Sequence, residues 1–476
     1  MTSFMPTELS FAPQVLPCTY PAFQQYESLK MAAVIATIEV DSESQSEHSD
    51  QCHQLDSDPG YESEARFVDT DERVSFESTV AKTVSNIIVA VIGVGYVGLE
   101  LVQAFAKNYT VIAFDISAER VATLGRQHAN LASVTFSSDE GLLGDATHFL
   151  VSVPTLLLPN RQVDDKYLRS AISTITRHAR PGSTVVMESS VSVGMTRKLM
   201  APFMRSHGLR AGMSPERVDP GRSEPAFETI PKIISGLDDI TPGSLESISE
   251  LYSKVFDHIV PVSSPEVAEM TKLYENCQRM MAIAYANEMA DACADHGIDS
   301  FEVSRAACTK PFGFLPMMPS LGVGGHCIPV NPHYLLSNSS FPLLEAATEK
   351  MRLRPAAVGD RIMLELGKKG ELVSSKRRTR VLVVGVAFKR GQSLLTGSPA
   401  VSLMQHLLTS WDTHVTFADP FVQESDLAWA PRLNEELQWN KTGLEWFDMI
   451  VVAVRQPGLD FSLLSSLEGV KIEYWN

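Results

Sequence analysis

Apolar and polar positions along the chain follow three regimes. Through the first 85 residues no periodicity persists, and Ser, Asp, Glu and Gln dominate. Such a stretch buries too little apolar surface to offset the entropy of ordering it, so residues 1–85 are predicted to form a disordered tail. Order begins at Asn86. Ile87 to Ile92 is an unbroken, mostly β-branched apolar run, the pattern of a parallel strand covered on both faces. A glycine turn, a helix-like segment from Tyr96 to Lys107 and a second apolar run from Thr110 to Phe114 complete a βαβ opening. Runs at His148–Val153, Thr184–Met187 and Lys232–Ile234 alternate with helical stretches and extend a doubly wound sheet.

From Pro265 to about His296 the period changes. Met270, Leu273, Met280, Met281 and Ala284 recur mainly at helical spacing and predict one long amphipathic helix. A second helical stretch runs from Pro342 to Leu366, and the basic segment Lys368–Arg380 reads as an exposed linker. A second α/β unit opens at Val381–Val384, with strands near His414–Ala418 and Met449–Val452. The predicted architecture is α/β. Two Rossmann-like doubly wound domains, 86–262 and 376–476, are joined by a helical segment, 263–367.

Composition changes this picture only where it is located. The net charge is −17, yet Glu39 to Glu77 holds 13 acidic residues against Arg66 and Arg73, a net −11, which leaves −6 for the rest. The acidity belongs to the tail, and it argues against a nucleic-acid partner. No apolar run approaches the roughly 18–20 residues of a membrane span, and Met31–Val40 already contains Thr37 and Glu39. No basic segment followed by an apolar one opens the chain, so a cytoplasmic location is expected. Six widely spaced cysteines without a CxxC pair predict neither a metal site nor a disulfide framework. They leave a thiol free for chemistry.

Gly93-Val94-Gly95-Tyr96-Val97-Gly98 lies between the first strand and its helix. There Gly93 permits the tight turn, Gly95 lets a pyrophosphate approach the backbone, and Gly98 lets helix and strand pack closely. Asp115 ends the second strand, 22 residues after Gly93, where a carboxylate accepts hydrogen bonds from a ribose diol and repels an added phosphate. NAD is therefore the expected cofactor, in preference to NADP. Arg120 is within reach of the adenosine side or is a surface arginine. A second glycine-rich loop, Gly322-Val323-Gly324-Gly325-His326-Cys327-Ile328-Pro329, presents a thiol, the side chain best suited to attack a carbonyl near neutral pH.

Taken together, these motifs make residues 86–476 resemble the UDP-glucose/GDP-mannose dehydrogenase family, most closely its UDP-N-acetylglucosamine 6-dehydrogenase branch. The residues that carry the likeness are GVGYVG at 93–98, SVPT at 152–155, ESSVSVG at 188–194 and SPERVDPG at 214–221. KLYENCQR at 272–279, TKPFGF at 309–314, GVGGHCIPVNPHYL at 322–335 and GVAFK at 385–389 follow in the same order. The resemblance implies oxidation of a UDP-sugar C6 alcohol to the carboxylate with two NAD, a step of polysaccharide biosynthesis. It implies that Cys327 attacks the intermediate aldehyde and carries a thioester that water hydrolyses. Lys272 and Asn276, four apart on one helix face, would stabilise the oxyanion. Ser190 would position water and Glu216 would act as general acid/base. Pro154 and Thr155 would join the cofactor site, and Phe388, Lys389 and Gly324 the substrate site. Phe312 and Phe314 lie against the sugar nucleotide or in the core, and His326 reads as structural. A homodimer or larger homo-oligomer is expected, with the long helix after Pro265 as its contact.

The chain departs from the family pattern at three places. Asn331 stands where the family has aspartate, four residues after the thiol, and an amide cannot take a proton as a base. Leu394 and Thr396 replace an aspartate and a phosphate-suited arginine, with Arg390 nearby but expected to face elsewhere. Val193 replaces a loop proline. Two readings follow: an active UDP-sugar 6-dehydrogenase, or a catalytically weakened relative that binds NAD or a nucleotide in a regulatory or scaffolding role.

Overall fold

The computed structural model describes residues 87–218, 224–310, 313–368 and 377–475. The tail predicted over 1–85 and most of the predicted linker lie outside the described residues. Residues 86–308 and 314–476 form one unit. Its first half runs β1 (Ile88–Ile92), α1 (Tyr96–Phe105), β2 (Thr110–Phe114), α2 (Ala118–Gln127), β3 (Val134–Ser137) and β4 (His148–Val151). A short hairpin of β5 (Leu156–Leu157) and β6 (Val163–Asp164) follows, then α3 (Lys166–His178), β7 (Thr184–Met187), α4 (Met195–His207) and β8 (Arg210–Met213). β9 (Lys232–Gly236), α5 (Ser244–Tyr252) and β10 (Ile259–Pro261) close it.

The order β10-β9-β8-β7-β4-β1-β2-β3 puts the switch point between β1 and β4, the place where doubly wound sheets bind ligands. Alternate residues of β1 feed opposite cores: Ala90 and Ile92 join one cluster, Val89 and Val91 the other. Burial on both faces explains the continuous apolar run. One feature escapes the sequence pattern. β8 and β9 pair antiparallel, because the connection between them carries no crossover helix among its described residues, only a 3-10 turn at Phe227–Thr229.

The helical segment follows as α6 (Pro265–Asp295), α7 (Ser300–Ala307), α8 (Asn331–Leu336) and α9 (Pro342–Lys368). Ser264 caps α6 by accepting from the Val267 N–H, and Pro265 occupies the first turn, where its missing donor costs nothing. The second sheet uses β11 (Thr379–Val384), β12 (Thr413–Ala418), β13 (Met449–Val452) and β14 (Lys471–Tyr474), all parallel, in the order β12-β11-β13-β14. α10 (Pro399–Ser410) covers one face. β11 begins at Thr379, so the predicted linker ends earlier than Arg380: Thr379 and Arg380 already pair with Thr413 and His414. Among the described residues no helix is long and apolar enough to cross a membrane.

Candidate active site

Register brings the first loop to the carboxyl edge of the sheet. Ile92 pairs with Phe114 on one side and Val151 on the other, so Gly93, Asp115 and Ser152 emerge together. Gly93 adopts a left-handed φ of 89°, and a Cβ there would lie 2.6 Å from the Ser152 carbonyl oxygen. A Cβ on Gly98 would lie 1.9 Å from the Gly93 oxygen, whereas one on Gly95 would meet nothing within 4 Å. Packing therefore explains two of the glycines and not the third. The N-terminus of α1 has no capping side chain and no acid in its first turn, leaving its N–H groups and positive dipole end for an anion.

Asp115 Oδ2 accepts from Val94 N at 3.0 Å and Oδ1 from Ser117 N at 3.0 Å, and each oxygen keeps a further lone pair. It opens on a cleft of about 240 Å³ shared with Gly93, Ile116 and Pro154. Arg120 is neither idle nor free: its Nε donates to the Val94 carbonyl at 2.6 Å and ties α2 to the glycine loop. Tyr96 is exposed, Val97 packs toward the core, and Thr155 is half-buried just beyond Pro154. This set fits a dinucleotide with a ribose diol at Asp115 and a pyrophosphate over Gly95.

The thiol lies in a separate cavity of about 120 Å³. Cys327, Lys272, Asn276, Gly324 and Phe388 line it with Arg217, Glu275, Arg279 and His326. α6 presents Lys272 and Asn276 one turn apart, both buried. Asn331 opens α8, and its backbone N–H donates to the Cys327 carbonyl at 2.9 Å. Its side-chain Oδ1 accepts from Asn276 Nδ2 at 2.5 Å. Burial pushes the Lys272 ammonium below the ordinary lysine range, while the Cys327 sulfur, Glu216 and Glu275 pull it back up.

The glycines of the thiol loop have a packing reason. A Cβ on Gly324 or Gly325 would come within 3.0 Å of the Phe388 side chain, and Gly325 has a φ of 87°. The Gly325 N–H donates to the Thr396 carbonyl at 3.2 Å, and Phe388 N to the Leu394 carbonyl at 3.0 Å. Leu394 and Thr396 thus contribute through their backbones to the surface on which the loop rests. Val193 likewise uses its carbonyl, accepting from Asn338 Nδ2 at 2.9 Å.

Not every expected residue meets in this cavity. Lys389 is half-buried beside it in sequence, its carbonyl accepting from Gln456. Ser190 is half-buried in the loop after β7, and Phe314 is half-buried outside the cavity lining. Phe312 lies outside the described residues. Glu216 is not among the lining residues and belongs to a buried cluster with Glu188, Lys232 and Tyr252. The sequence reading missed Arg217, which bonds Glu275 at 2.7 Å, and it missed Lys232. The signal for Lys232 was a charge opening an otherwise apolar strand, where an unpaired lysine is costly.

Comparison with known proteins agrees with this geometry. Residues 87–256 match the NAD binding domain, and residues 266–350 the central domain, of the UDP-glucose/GDP-mannose dehydrogenase family. The chain is 33% identical over 368 residues to a UDP-N-acetyl-D-glucosamine 6-dehydrogenase of Pseudomonas aeruginosa, covering 71% of this chain and 84% of the relative. It is 32% identical to a UDP-N-acetyl-D-mannosamine dehydrogenase of Escherichia coli (strain K12), covering 69% and 84%. The solved structure of a UDP-D-ManNAc dehydrogenase from Pyrococcus horikoshii superposes with a TM-score of 0.73 at 26% identity, covering 82% of this chain and 95% of that one.

Proposed function

The chain belongs to the UDP-glucose/GDP-mannose dehydrogenase family as an NAD-dependent oxidoreductase, and from that premise we propose that it oxidises C6 of a UDP-N-acetylhexosamine to the uronate through Cys327. UDP-N-acetylglucosamine and UDP-N-acetylmannosamine are the two substrates to try first, since relatives named for the glucosamine and mannosamine sugars match almost equally well. NAD supplies the hydride acceptor for both oxidations. Between them the Cys327 thiolate adds to the C6 aldehyde, giving a thiohemiacetal, and the second oxidation converts this to a thioester. Water then releases the acid and returns the thiol. Lys272 and Asn276 are the donors available to the oxygen of the adduct, and a partly desolvated ammonium serves an oxyanion better than one in water.

The observation that carries this reading is the meeting of Cys327, Lys272 and Asn276 in one cavity, with Phe388 of the second sheet domain closing over the loop. The chain's own copies are part of the proposal. α6 exposes Val267, Met270, Tyr274, Tyr285 and Met289, an apolar face suited to a second subunit. A second reading, a weakened enzyme that stalls after acylation, is favoured by the Asn276–Asn331 amide pair, which leaves no ionisable group at that position.

The test is incubation of the protein with NAD and a panel of UDP- and GDP-sugars, following NADH and acid. Two NADH per uronate, lost in Cys327→Ala, is the expected result. NAD binding without turnover of any sugar would overturn the first reading, and acid formation by Cys327→Ala would overturn covalent chemistry.

A further inference from the structure

The chain leading to Cys327 has little stiffness of its own. Gly322, Gly324 and Gly325 all precede the thiol within five residues, and glycine loses more backbone freedom on ordering than any other residue. The long helix α6 grips this stretch at both ends. Downstream, Asn276 donates to the side chain of Asn331. Upstream, Asn287 Oδ1 accepts from the Ser320 backbone N–H at 2.7 Å, and its Nδ2 donates to Ser320 Oγ at 3.3 Å and to the Met351 sulfur at 3.2 Å. The remaining groups of Ser320 are engaged as well: its Oγ donates to the Gly322 carbonyl at 3.1 Å, and its carbonyl accepts from Arg354 Nε on α9 at 3.0 Å.

Asn287 is fully buried, and the buried positions nearest it on α6, Met280, Ala284 and Ala290, are apolar. An amide in such a place costs stability unless its hydrogen bonds are made, so packing alone would favour leucine there. Asn276 and Asn287 stand eleven residues apart in α6. That is about three helical turns, so both amides leave the same face of the helix, roughly 16 Å apart along its axis. The segment they hold, from Ser320 to Asn331, would reach about 36 Å if fully extended. It bows between its two fixed points with chain to spare, and the glycines leave that slack free to move.

We propose that Asn287 is a positioning residue for the oxidation: it pins Ser320, the upstream end of the thiol loop, to the same helix that carries Lys272 and Asn276. Nucleophile and oxyanion donors are then placed by one rigid element, although they stand some fifty residues apart in the chain. A displacement of about 1 Å at a reacting centre can cost about 10²-fold in rate, so an anchor distant from the chemistry still bears on it. This inference rests on the reading of the Cys327 site proposed above.

The experiment compares the full-length protein with Asn287→Leu, Asn287→Ser and Ser320→Ala, by hydrogen exchange across the thiol loop and by steady-state kinetics with NAD and UDP-sugar. In the unsubstituted protein the Ser320 amide should be strongly protected, and exchange as fast as that of an exposed loop overturns the anchor without any variant. Asn287→Leu keeps the volume and removes the hydrogen bonds. Exchange over 320–327 should rise at least about ten-fold, and kcat should fall about ten- to hundred-fold while KM stays within about two-fold. Ser320→Ala leaves the backbone N–H on Asn287, so its kcat should stay much closer to the unsubstituted value. If Asn287→Leu does not fold, Asn287→Ser, whose side chain is too short to keep the contact, decides by the same readings. A folded Asn287 variant with unchanged kcat overturns the proposal. So does a rise in KM as large as the fall in kcat, or a Ser320→Ala variant as slow as Asn287→Leu. An unsubstituted protein that turns over no UDP-sugar fails the reading of the Cys327 site, while the exchange measurements still decide whether Asn287 holds the loop.

Discussion

The side-chain amide of Asn276 donates to Oδ1 of Asn331 across 2.5 Å, and this contact links the helix that carries Lys272 to the turn that carries Cys327. A carboxylate at 331 would accept the same hydrogen bond from the same donor, so the departure from aspartate preserves the scaffold and removes only a proton acceptor.

It follows that Asn331→Asp should speed thioester hydrolysis with little change in fold. A placed general base contributes about 10²–10⁴-fold, so a rise in kcat of at least about ten-fold is expected if hydrolysis limits turnover. Intact-mass spectrometry of the unsubstituted protein during turnover should show the acyl group on Cys327, and the adduct should vanish in Asn331→Asp. Equal kcat and no adduct in either protein would mean that another residue activates the water.

Lys272 should trade stability for chemistry. Its ammonium is held below the ordinary lysine range chiefly by burial, so the folded state binds its proton less tightly than the unfolded chain. The sign follows from linkage. The burial penalty is fully present while both states are protonated, and it is relieved as pH rises from the folded value toward the unfolded one. Lys272→Met removes the penalty at neutral pH and should raise Tm by about 2–4 °C for each kcal/mol recovered. Removing an oxyanion donor should lower kcat by about 10²–10³-fold. A variant that melts lower would show that Lys272 stabilises the fold.

How much of this was legible follows from which links are local. The glycine loop and Asp115 could be read directly, because turn, helix start and strand end are set within 22 residues of chain. β1, β2, β7 and β13 fell close to their predicted runs, since burial on both faces keeps strand interiors apolar, and the long helix followed its helical period. The antiparallel β8–β9 pair was not legible, because direction depends on the path of a connection that has no periodicity. Nor was the Lys232 cluster, whose partners stand 44 and 16 residues away. The glycines and thiol of the Cys327 loop could be read from the residues, Lys272 and Asn276 were joined to it only by resemblance, and the packing of the loop on Phe388 came from tertiary structure. Gly324 and Gly325 looked like room for a ligand, and part of that room is filled by the chain's own aromatic ring.

Phe388→Ala should expose that dependence. Removing the ring takes away the side chain against which Gly324 and Gly325 pack, so the loop should sample more conformations. Iodoacetamide labelling of Cys327 should become several-fold faster while kcat falls, with hydrogen exchange increased over 322–328. Slower labelling, or no change in exchange, would mean that the loop is held from elsewhere.

The three glycines of the cofactor loop should separate cleanly by alanine substitution, because each is glycine for a different reason. Gly98→Ala puts a Cβ 1.9 Å from the Gly93 carbonyl oxygen, a backbone atom that cannot rotate away. Overpacking of this kind costs about 1–3 kcal/mol or more, and the apoprotein should melt lower. Gly93→Ala adds a left-handed φ of 89° to a 2.6 Å approach on Ser152, so it should destabilise at least as much. Gly95→Ala meets nothing within 4 Å, so the apoprotein should melt at the same temperature or slightly higher. The new methyl would occupy space that a pyrophosphate needs, and NAD should bind at least about ten-fold more weakly, equivalent to about 1.4 kcal/mol. Thermal melts without cofactor and NAD titration by intrinsic fluorescence read the two effects independently. If Gly95→Ala binds NAD normally, the pyrophosphate does not pass over that residue.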